Sequence, residues 1–354
     1  MKMRFQHVCI EAFGYALPKE SYSSLVIEEQ LAPLYQRLGL TPGRLEQLTG
    51  VAERRLWPLG TRPSSVAAEA AEDLFSRQNL TAAELQQFKG EIDLLIFTGV
   101  CRDALEPATA SVVHHRLGLA PSCMVLDLSN ACLGFLNAMT LASSLIERGD
   151  AKRALIVSGE NAAPLYEHTL RELKDSNSEE LFRQRLVNLT LGSAAVACTL
   201  VHSSSVTAPE VSSRRLLGGL AQADSSAHGL CVGQGDLQYQ SMETHTAELL
   251  REGLKLAQHS WKLFLEHLGW QKHTAEHIFT HQVSRSHQEK LLSLLGINTL
   301  KHSTQIPTLG NTGSVAAPLS LFLAAEQGQL KPGDKFALLG IGSGLNTLML
   351  GGAW

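Results

Sequence analysis

Short apolar runs alternate with segments of helical periodicity along most of the chain. The apolar runs predict strands over residues 8–13, 93–98, 124–128, 154–158, 194–200, 277–281, 336–340 and 347–351. The periodic segments predict helices over residues 64–77, 108–117, 133–148, 179–186, 244–268, 284–295 and 315–328. Strands that are apolar throughout and alternate with helices indicate an α/β protein with mostly parallel, buried sheets.

The order of these elements suggests two similar halves, residues 1–200 and residues 241–354. Each half has a strand that ends at a chemically reactive residue before a helix, Cys132 in the first and His281 in the second. Residues 201–240 are rich in Ser, Gly and Ala, which predicts a long connection with little regular structure.

A charged, helix-forming segment, residues 166–188, interrupts the apolar pattern of the first half. It is interpreted as an inserted helical cap. Two alternatives remain open for its role: a solvated surface insertion, or a cover over a substrate channel or a dimer contact.

Composition excludes several classes of protein. The 354 residues are 44% hydrophobic and 18% charged with a net charge of −4, so no nucleic-acid or anionic-membrane partner is expected. The first ten residues lack a signal-peptide pattern, and no apolar run reaches the length of a membrane span. Six scattered cysteines without Cys-x-x-Cys spacing predict neither a disulfide framework nor a metal site, and they fit a reducing cytoplasm.

Cys132 lies at the turn between a strand and an apolar helix. The unpaired N–H groups and the dipole of a helix N-terminus favour thiolate over thiol. A thiolate on such a turn is suited to take an acyl group from a thioester. The alternative is that Cys132 is a small buried hydrophobic residue.

His281 and Asn311 also lie at junctions that precede helices, and they could meet Cys132 at one end of the sheets. Cys132 would then attack a thioester carbonyl, and His281 and Asn311 would each offer an N–H group to the oxygen that becomes negative. The alternatives are a core histidine bonded to a backbone carbonyl and an asparagine in a left-handed turn.

Four motifs carry a family resemblance: NACLGF at 130–135, HQV at 281–283, GNTGS at 310–314 and GIGSG at 340–344. In this order they resemble the thiolase-fold ketosynthases of the 3-oxoacyl-acyl-carrier-protein synthase III type, over nearly the whole chain. The resemblance implies a thiolase fold, with a five-layered αβαβα subunit built from two βαβαβαββ halves, usually as a homodimer.

The same resemblance implies that Cys132, His281 and Asn311 form a catalytic triad. It further implies an active-site loop whose backbone completes an oxyanion site, formed by Gly342, Ser343 and Gly344. Two departures are visible. Arg44 and Leu48 replace the residues that grip the CoA nucleotide in initiation ketosynthases, and Leu309 replaces a histidine of many relatives.

A finer resemblance rests on four further stretches: RRLW at 54–57, CRDALEPATAS at 101–111, ERGD at 147–150 and HQVSR at 281–285. These are similar to the head-to-head acyl-CoA condensing enzymes of long-chain olefin biosynthesis. In that subgroup the glutamate that matches Glu106 reaches across the dimer into the partner's active site. The resemblance also suggests a substrate-binding role for Arg285.

The chemistry gives a reason for Glu106. A malonyl donor forms its carbanion by losing CO2, whereas a plain fatty acyl thioester must lose an α-proton to a base. A buried carboxylate is a stronger base, because burial raises its pKa. The alternative is an acidic residue that favours the start of the following helix, next to Pro107.

The sequence therefore predicts a non-decarboxylative Claisen condensation of two fatty acyl-CoA molecules that yields a 2-alkyl-3-ketoacyl product. The substrates are expected to be acyl-CoA or acyl groups carried on acyl-carrier protein, without a metal or redox cofactor. Downstream lipid or olefin enzymes are expected partners. The alternative is a decarboxylative 3-oxoacyl-acyl-carrier-protein synthase III that uses malonyl-acyl-carrier protein. Two further alternatives are an aldol enzyme similar to 3-hydroxy-3-methylglutaryl-CoA synthase and a non-catalytic subunit, although such subunits typically lack the cysteine.

Overall fold

Strands and helices alternate through most of the protein, as the apolar pattern predicts. The computed structural model describes residues 1–236 and 239–354. Its strands are β1 Lys2–Arg4, β2 Val8–Ala16, β3 Ser21–Ser23, β4 Glu53–Arg55, β5 Leu94–Thr98, β6 Met124–Leu128, β7 Arg153–Glu160, β8 Ala194–His202, β9 Arg215–Ala223, β10 Cys231–Gly235, β11 Gln240–Thr244, β12 His277–Thr280, β13 His302–Ser303, β14 Lys335–Gly342 and β15 Asn346–Ala353. Its α-helices are α1 Ser24–Gln30, α2 Ala32–Leu38, α3 Arg44–Thr49, α4 Pro63–Ser76, α5 Ala82–Gly90, α6 Thr109–Leu117, α7 Gly134–Glu147, α8 Ala163–Lys174, α9 Glu179–Arg185, α10 Pro209–Ser213, α11 Thr246–Leu268, α12 Arg285–Leu295, α13 Ile306–Leu309 and α14 Ala316–Glu326.

The main sheet reveals an internal duplication. Its strand order is β13-β12-β14-β15-β9-β2-β8-β7-β5-β6, with β1 beside β9. The first half runs β2-α4-β5-α6-β6-α7-β7-β8 and the second runs β9-α11-β12-α12-β13-α14-β14-β15. Both halves therefore have the order βαβαβαββ, and their strands lie in the same relative order. The predicted thiolase fold with two similar halves is confirmed.

Five layers follow from the way the strand side chains alternate. In β7, Ala154 and Ile156 face the central helices α7 and α14, whereas Leu155 and Val157 face the outer helices α4 and α6. In β14, Leu338 faces the central helices, and Leu339 faces α11 and α12. Because both faces of the main sheet are covered in each half, its central strands are largely apolar rather than alternating in polarity.

Residues 201–240 correct the prediction of an irregular connection. They contain α10, β10 and β9, and β9 pairs along its length with β15 near the middle of the main sheet. Residues 237 and 238 of this predicted connection lie outside the described residues. The second half therefore begins at β9 and not at residue 241.

The glycines of β9 explain why the prediction missed it. Gly218 and Gly219 break the apolar run that marks the other strands. A Cβ atom at Gly218 would lie 2.4 Å from the carbonyl oxygen of Met3, and one at Gly219 would lie 2.5 Å from that of Met349. These glycines permit the close approach of neighbouring strands. In the sequence alone, the same glycine content is typical of a loop.

The duplication also corrects the predicted correspondence between Cys132 and His281. Cys132 stands between β6 and α7, and the equivalent position between β13 and α14 holds Asn311. His281 follows β12, whose counterpart in the first half is β5. The counterpart of His281 is therefore the loop after β5, which carries Glu106.

Among the described residues, none of the helices combines the length and apolar character needed to cross a lipid bilayer.

Candidate active site

One cavity of about 210 Å³ contains most of the residues that the sequence singled out. Cys132, His281 and Asn311 all line it, together with Gly342 and Ser343. The three junctions named in the sequence analysis are thus brought together, with contributions from both halves of the fold.

A strained turn positions Cys132. Ala131, immediately before it, has a φ of 45°, in the left-handed region that a residue with a Cβ rarely adopts. Asn130 holds the turn on two sides: its Nδ2 donates to Asn137 Oδ1 at 3.0 Å, and its Oδ1 accepts from Asn346 Nδ2 at 3.3 Å. Asn346 begins β15, so the second half supports the turn of the first half that carries Cys132.

Close packing by the β14–β15 hairpin completes this support. A Cβ atom at Gly342 would lie 3.0 Å from Leu133 Cγ, and one at Gly340 would lie 2.3 Å from Leu133 Cδ2. The GIGSG motif is therefore small because its backbone lies against the turn that carries Cys132. Gly344, the last residue of this motif, does not line the cavity.

The Cys132 thiol is neutral at rest, which corrects the expectation of a thiolate favoured by the helix. Burial raises the pKa of the thiol to about 12, and the Glu160 carboxylate and the Cys231 thiol act in the same direction. Cys132 is partly accessible, but from an enclosed cavity rather than from bulk water. It also precedes the helix, which begins at Gly134. Desolvation and a nearby negative charge both act against the thiolate form.

His281 is neutral for a similar reason. Burial lowers the pKa of its imidazole to about 4, and a hydrogen bond with the Gly313 backbone opposes this only in part. The ring Nδ1 is buried and has no hydrogen-bond partner among the described residues. A neutral imidazole has one N–H donor and one acceptor nitrogen, so it can serve an oxyanion or receive a proton.

Asn311 is held by backbone and side chain together. Its backbone N–H donates to Thr190 O and its carbonyl accepts from Gly192 N–H, each at 2.9 Å. Its side-chain oxygen accepts the N–H of Gly313 at 3.0 Å, which leaves the amide N–H groups as donors. The left-handed positions of this turn belong to Gly310 and Gly313, so the alternative of a left-handed asparagine does not hold.

Glu160 is a cavity residue that the sequence analysis missed. It is the last residue of β7, it is only 4% exposed, and it lines the cavity with Cys132, His281 and Asn311. The available signal was a carboxylate at the end of an apolar strand, where ligands collect in α/β folds. Cys101 and Cys231 line the same cavity, and burial raises the pKa of Cys101 to about 12.

Glu106 and Arg285 lie outside this cavity in the single chain. Glu106 is exposed on the loop between β5 and α6. Arg285, at the start of α12, lines a separate surface cleft with Gly50, Glu46 and Glu289. His287 and Leu291, on another face of α12, line the main cavity, so this helix lies between the two sites.

The charged segment 166–188 is more than a solvated insertion. It forms parts of α8 and α9, whose apolar residues pack with α1, α2 and α3; they include Tyr166, Leu170, Leu173 and Phe182. Val187 of this segment and Leu165, just before it, line the cavity. The segment therefore lies beside the cavity, and its role as a cap stays a prediction.

This fold and this set of residues define a thiolase-fold condensing enzyme. Models of the 3-oxoacyl-[acyl-carrier-protein] synthase III family match residues 126–213, and those of its C-terminal part match residues 265–350. The chain belongs to this family and is an acyltransferase that forms carbon–carbon bonds.

Several relatives are similar over the full length. Proteins named acyl-CoA:acyl-CoA alkyltransferase from Shewanella oneidensis and Xanthomonas campestris are 36% and 38% identical, over 99% of this chain and 100% of theirs. A β-ketoacyl-[acyl-carrier-protein] synthase III from Clostridium perfringens is 27% identical over 95% of this chain and 96% of its own.

A solved structure of a Xanthomonas campestris OleA variant with bound lauric acid and lauroyl-CoA superposes with a TM-score of 0.90. It is 38% identical and covers 99% of this chain and 100% of its own. The similarity to proteins named as alkyltransferases exceeds the similarity to the synthase III proteins.

Proposed function

We propose that this protein condenses two fatty acyl-CoA molecules head to head, without decarboxylation. The observation that carries the proposal is the meeting of Cys132, His281 and Asn311 in one cavity, in a chain that matches acyl-CoA:acyl-CoA alkyltransferases over its full length. Apolar residues cover much of the cavity wall, which suits an alkyl chain; they include Leu165, Leu191, Leu249, Leu250, Leu254 and Leu291.

In the first step Cys132 takes the acyl group. Its sulfur bonds to the carbonyl carbon of the first acyl-CoA and gives up its proton, because the resting group is a thiol, and this proton is transferred to the departing CoA sulfur. The carbonyl oxygen becomes negative and accepts hydrogen bonds from His281 and Asn311. The bond to CoA then breaks, and CoA departs with a proton as the free thiol.

In the second step Glu106 of the partner subunit removes an α-proton from a second acyl-CoA. The resulting enolate carbon attacks the acyl-enzyme carbonyl, a carbon–carbon bond forms, and the bond to the Cys132 sulfur breaks. Cys132 regains a proton, and the product is a 2-alkyl-3-ketoacyl-CoA. Hydrolysis of this thioester would give the β-keto acid.

A single-donor assay tests the reaction. The purified protein is incubated with one fatty acyl-CoA as the only acyl compound, and the 2-alkyl-3-keto product is sought by mass spectrometry. We expect product without any malonyl compound. Strict dependence on malonyl-acyl-carrier protein would instead establish the decarboxylative reaction.

The homodimer is part of the same proposal, and the first half offers a surface for it. Strand β6 is the last strand of the main sheet and pairs with β5 alone among the described strands. Met124 on this strand is 55% exposed. The adjacent loop exposes Val100 to 55% and Leu105 to 87%, beside Glu106. An open strand edge next to exposed apolar side chains is suited to pairing with a second copy.

Mixed dimers test whether Glu106 acts between subunits. A Glu106→Gln subunit paired with a Cys132→Ser subunit contains one complete site, provided that the glutamate of one chain serves the cysteine of the other. We expect each variant alone to lose nearly all condensation, since one lacks the base and the other the thiol. The mixture should recover about a quarter to a half of the wild-type activity, because each heterodimer has one complete site of two. An inactive mixture, with heterodimers demonstrated by native mass spectrometry, would assign Glu106 to its own chain or exclude it as the base.

A further inference from the structure

The carboxylate of Glu160 joins two segments that carry proposed catalytic residues. Within the described chain it accepts five hydrogen bonds, all from uncharged donors. Three come from the backbone N–H groups of Val100 and Cys101, at 3.0 to 3.4 Å. Two come from Ser314, through its N–H at 3.2 Å and its hydroxyl at 2.5 Å.

Each of these hydrogen-bond partners belongs to a segment that carries a proposed catalytic residue. Val100 and Cys101 begin the loop after β5, which continues to Glu106. Ser314 closes the turn that carries Asn311, and the side chain of Asn311 accepts the N–H of Gly313 in that turn. The turn is also tightly packed on the carboxylate, because a Cβ atom at Gly313 would lie 3.2 Å from Glu160 Oε1.

We propose that Glu160 is a positioning residue that fixes the Glu106 loop relative to the Asn311 turn and keeps a negative charge beside Cys132. The first part of this proposal rests on the proposed function, because it concerns the distance between the base and the oxyanion donor. The second part concerns the Cys132 thiol and holds for any acyl donor.

The length of the side chain makes the first role specific. An aspartate is one methylene shorter, so it retains the charge but cannot reach both Val100 and Ser314 with the same geometry. A glutamine retains the length, but it replaces an acceptor oxygen by an N–H donor facing other N–H donors. The two substitutions therefore separate position from charge.

The charge has a measurable consequence at Cys132. Burial is the largest cause of the raised pKa of this thiol, and the Glu160 carboxylate is the next. The other titratable groups that line the cavity are Cys101, Cys231, His281 and His287. Burial lowers the pKa of both imidazoles, so neither supplies a compensating positive charge near neutral pH.

Alkylation of Cys132 by iodoacetamide tests the charge. The rate is followed between pH 7 and pH 9 by mass spectrometry of the peptide that contains Cys132. We expect Glu160→Gln to react about tenfold faster than the wild type at each pH, the effect of one pKa unit on the thiolate fraction. Glu160→Asp retains the charge and is expected to react within about twofold of the wild type. Equal rates for Glu160→Gln and wild type would overturn the electrostatic role.

Condensation kinetics test the position, using whichever donor the wild-type protein accepts. We expect both variants to lose about 10- to 100-fold in kcat with little change in KM, because small misplacements of catalytic groups have effects of this size. Acyl-enzyme formation, followed by intact mass, should persist. A Glu160→Asp protein with wild-type kcat would overturn the positioning role. Malonyl dependence of the wild type would overturn the proposed function alone.

Glu28 supplies a matched control. Its carboxylate is also 4% exposed and accepts N–H bonds from Gly43 and Leu45 and a hydroxyl bond from Tyr35, but it does not line the cavity. Glu28→Gln should lower thermal stability as Glu160→Gln does and leave Cys132 alkylation unchanged. An equal acceleration in Glu28→Gln would assign the effect to general loosening of the protein and overturn the proposal.

Discussion

The two halves of this protein have the same topology and place different chemistry at equivalent positions. After β6 the first half has Cys132, and after β13 the second half has Asn311. After β5 the first half has the loop with Glu106, and after β12 the second half has His281. A proposed nucleophile and a proposed base in the first half thus correspond to two proposed N–H donors in the second half.

In a duplicated fold, the residues needed for one reaction can thus be distributed between the two halves. The carboxyl ends of the parallel strands in both halves point to one cavity, so equivalent turns face each other across the substrate. The cavity wall contains residues of both halves, and the Asn130–Asn346 contact joins them directly. Neither half forms the site alone.

The largest expected effect follows from substituting the proposed nucleophile of the first half. Cys132→Ser should abolish the acyl-enzyme and reduce condensation by more than about 10⁴-fold, because serine is a weaker nucleophile and the neutral His281 is a poor base. Intact-mass measurement after mixing with an acyl-CoA checks this. Cys101→Ser is the control and should still form the adduct. An adduct in Cys132→Ser would move the nucleophile to another residue.

Glu106→Gln should separate the two steps of the reaction. Acylation of Cys132 should remain, while condensation falls by about 10²- to 10⁴-fold, the usual contribution of a general base. Acyl-enzyme mass and product yield are measured on the same sample. Glu266→Gln removes a carboxylate at an exposed position of α11 and serves as control. Wild-type condensation by Glu106→Gln would place the base elsewhere.

Asn311→Ala breaks the second half at the position equivalent to Cys132. Loss of one oxyanion donor should slow condensation by about 10²- to 10³-fold. Steady-state kinetics with a single acyl-CoA measure the effect. Asn79→Ala provides a contrast, because Asn79 is exposed and holds a left-handed turn with a φ of 52°, remote from the cavity lining. Equal activities of the two variants would argue against the donor role.

The smallest effect concerns pH and the uncharged state of His281. Its pKa is about 4 in the folded protein, so between its ordinary pKa of about 6.5 and pH 4 the unfolded chain binds a proton that the folded chain does not. The free energy of unfolding must therefore decrease as the pH is lowered through this window. His281 alone accounts for a decrease of about 2 kcal/mol from pH 7 to pH 5. Urea unfolding at both pH values should reveal a smaller fall in His281→Asn. His302, whose pKa is also lowered to about 4, retains its contribution in both proteins. Parallel losses in variant and wild type would contradict the neutral imidazole.

Local signals predicted most of the fold. Strand β6 begins and ends at the predicted residues, and α6, α9 and α12 begin or end within one residue of the predicted bounds. Strand β9 was missed, because its glycines serve a contact between strands that are distant in sequence. Close contact between the backbones of segments that are distant in sequence produces no periodic pattern of apolar residues, so a single sequence does not reveal it.

The residues of the candidate site likewise fall into those that local sequence signals predicted and those that only the assembled fold reveals. Cys132, His281 and Asn311 were found because each stands at a junction with a recognisable turn. Glu160 was missed because its importance depends on hydrogen bonds from segments far away in the sequence. The charge state of Cys132 was wrong for a related reason: helix position is visible in sequence, whereas desolvation by the assembled cavity is not.

The exposed position of Glu106 has a consequence for regulation by concentration. If the base comes from a neighbouring chain while the thiol can be acylated within its own, dilution below the dissociation constant of the dimer uncouples loading from bond formation. Monomers would then accumulate in the acylated state, and reassociation would let each stored acyl group react with a second acyl-CoA without a new loading step. Because the β5–α6 loop would act only after two subunits associate, dimer formation would determine when a bound acyl group can form the carbon–carbon bond.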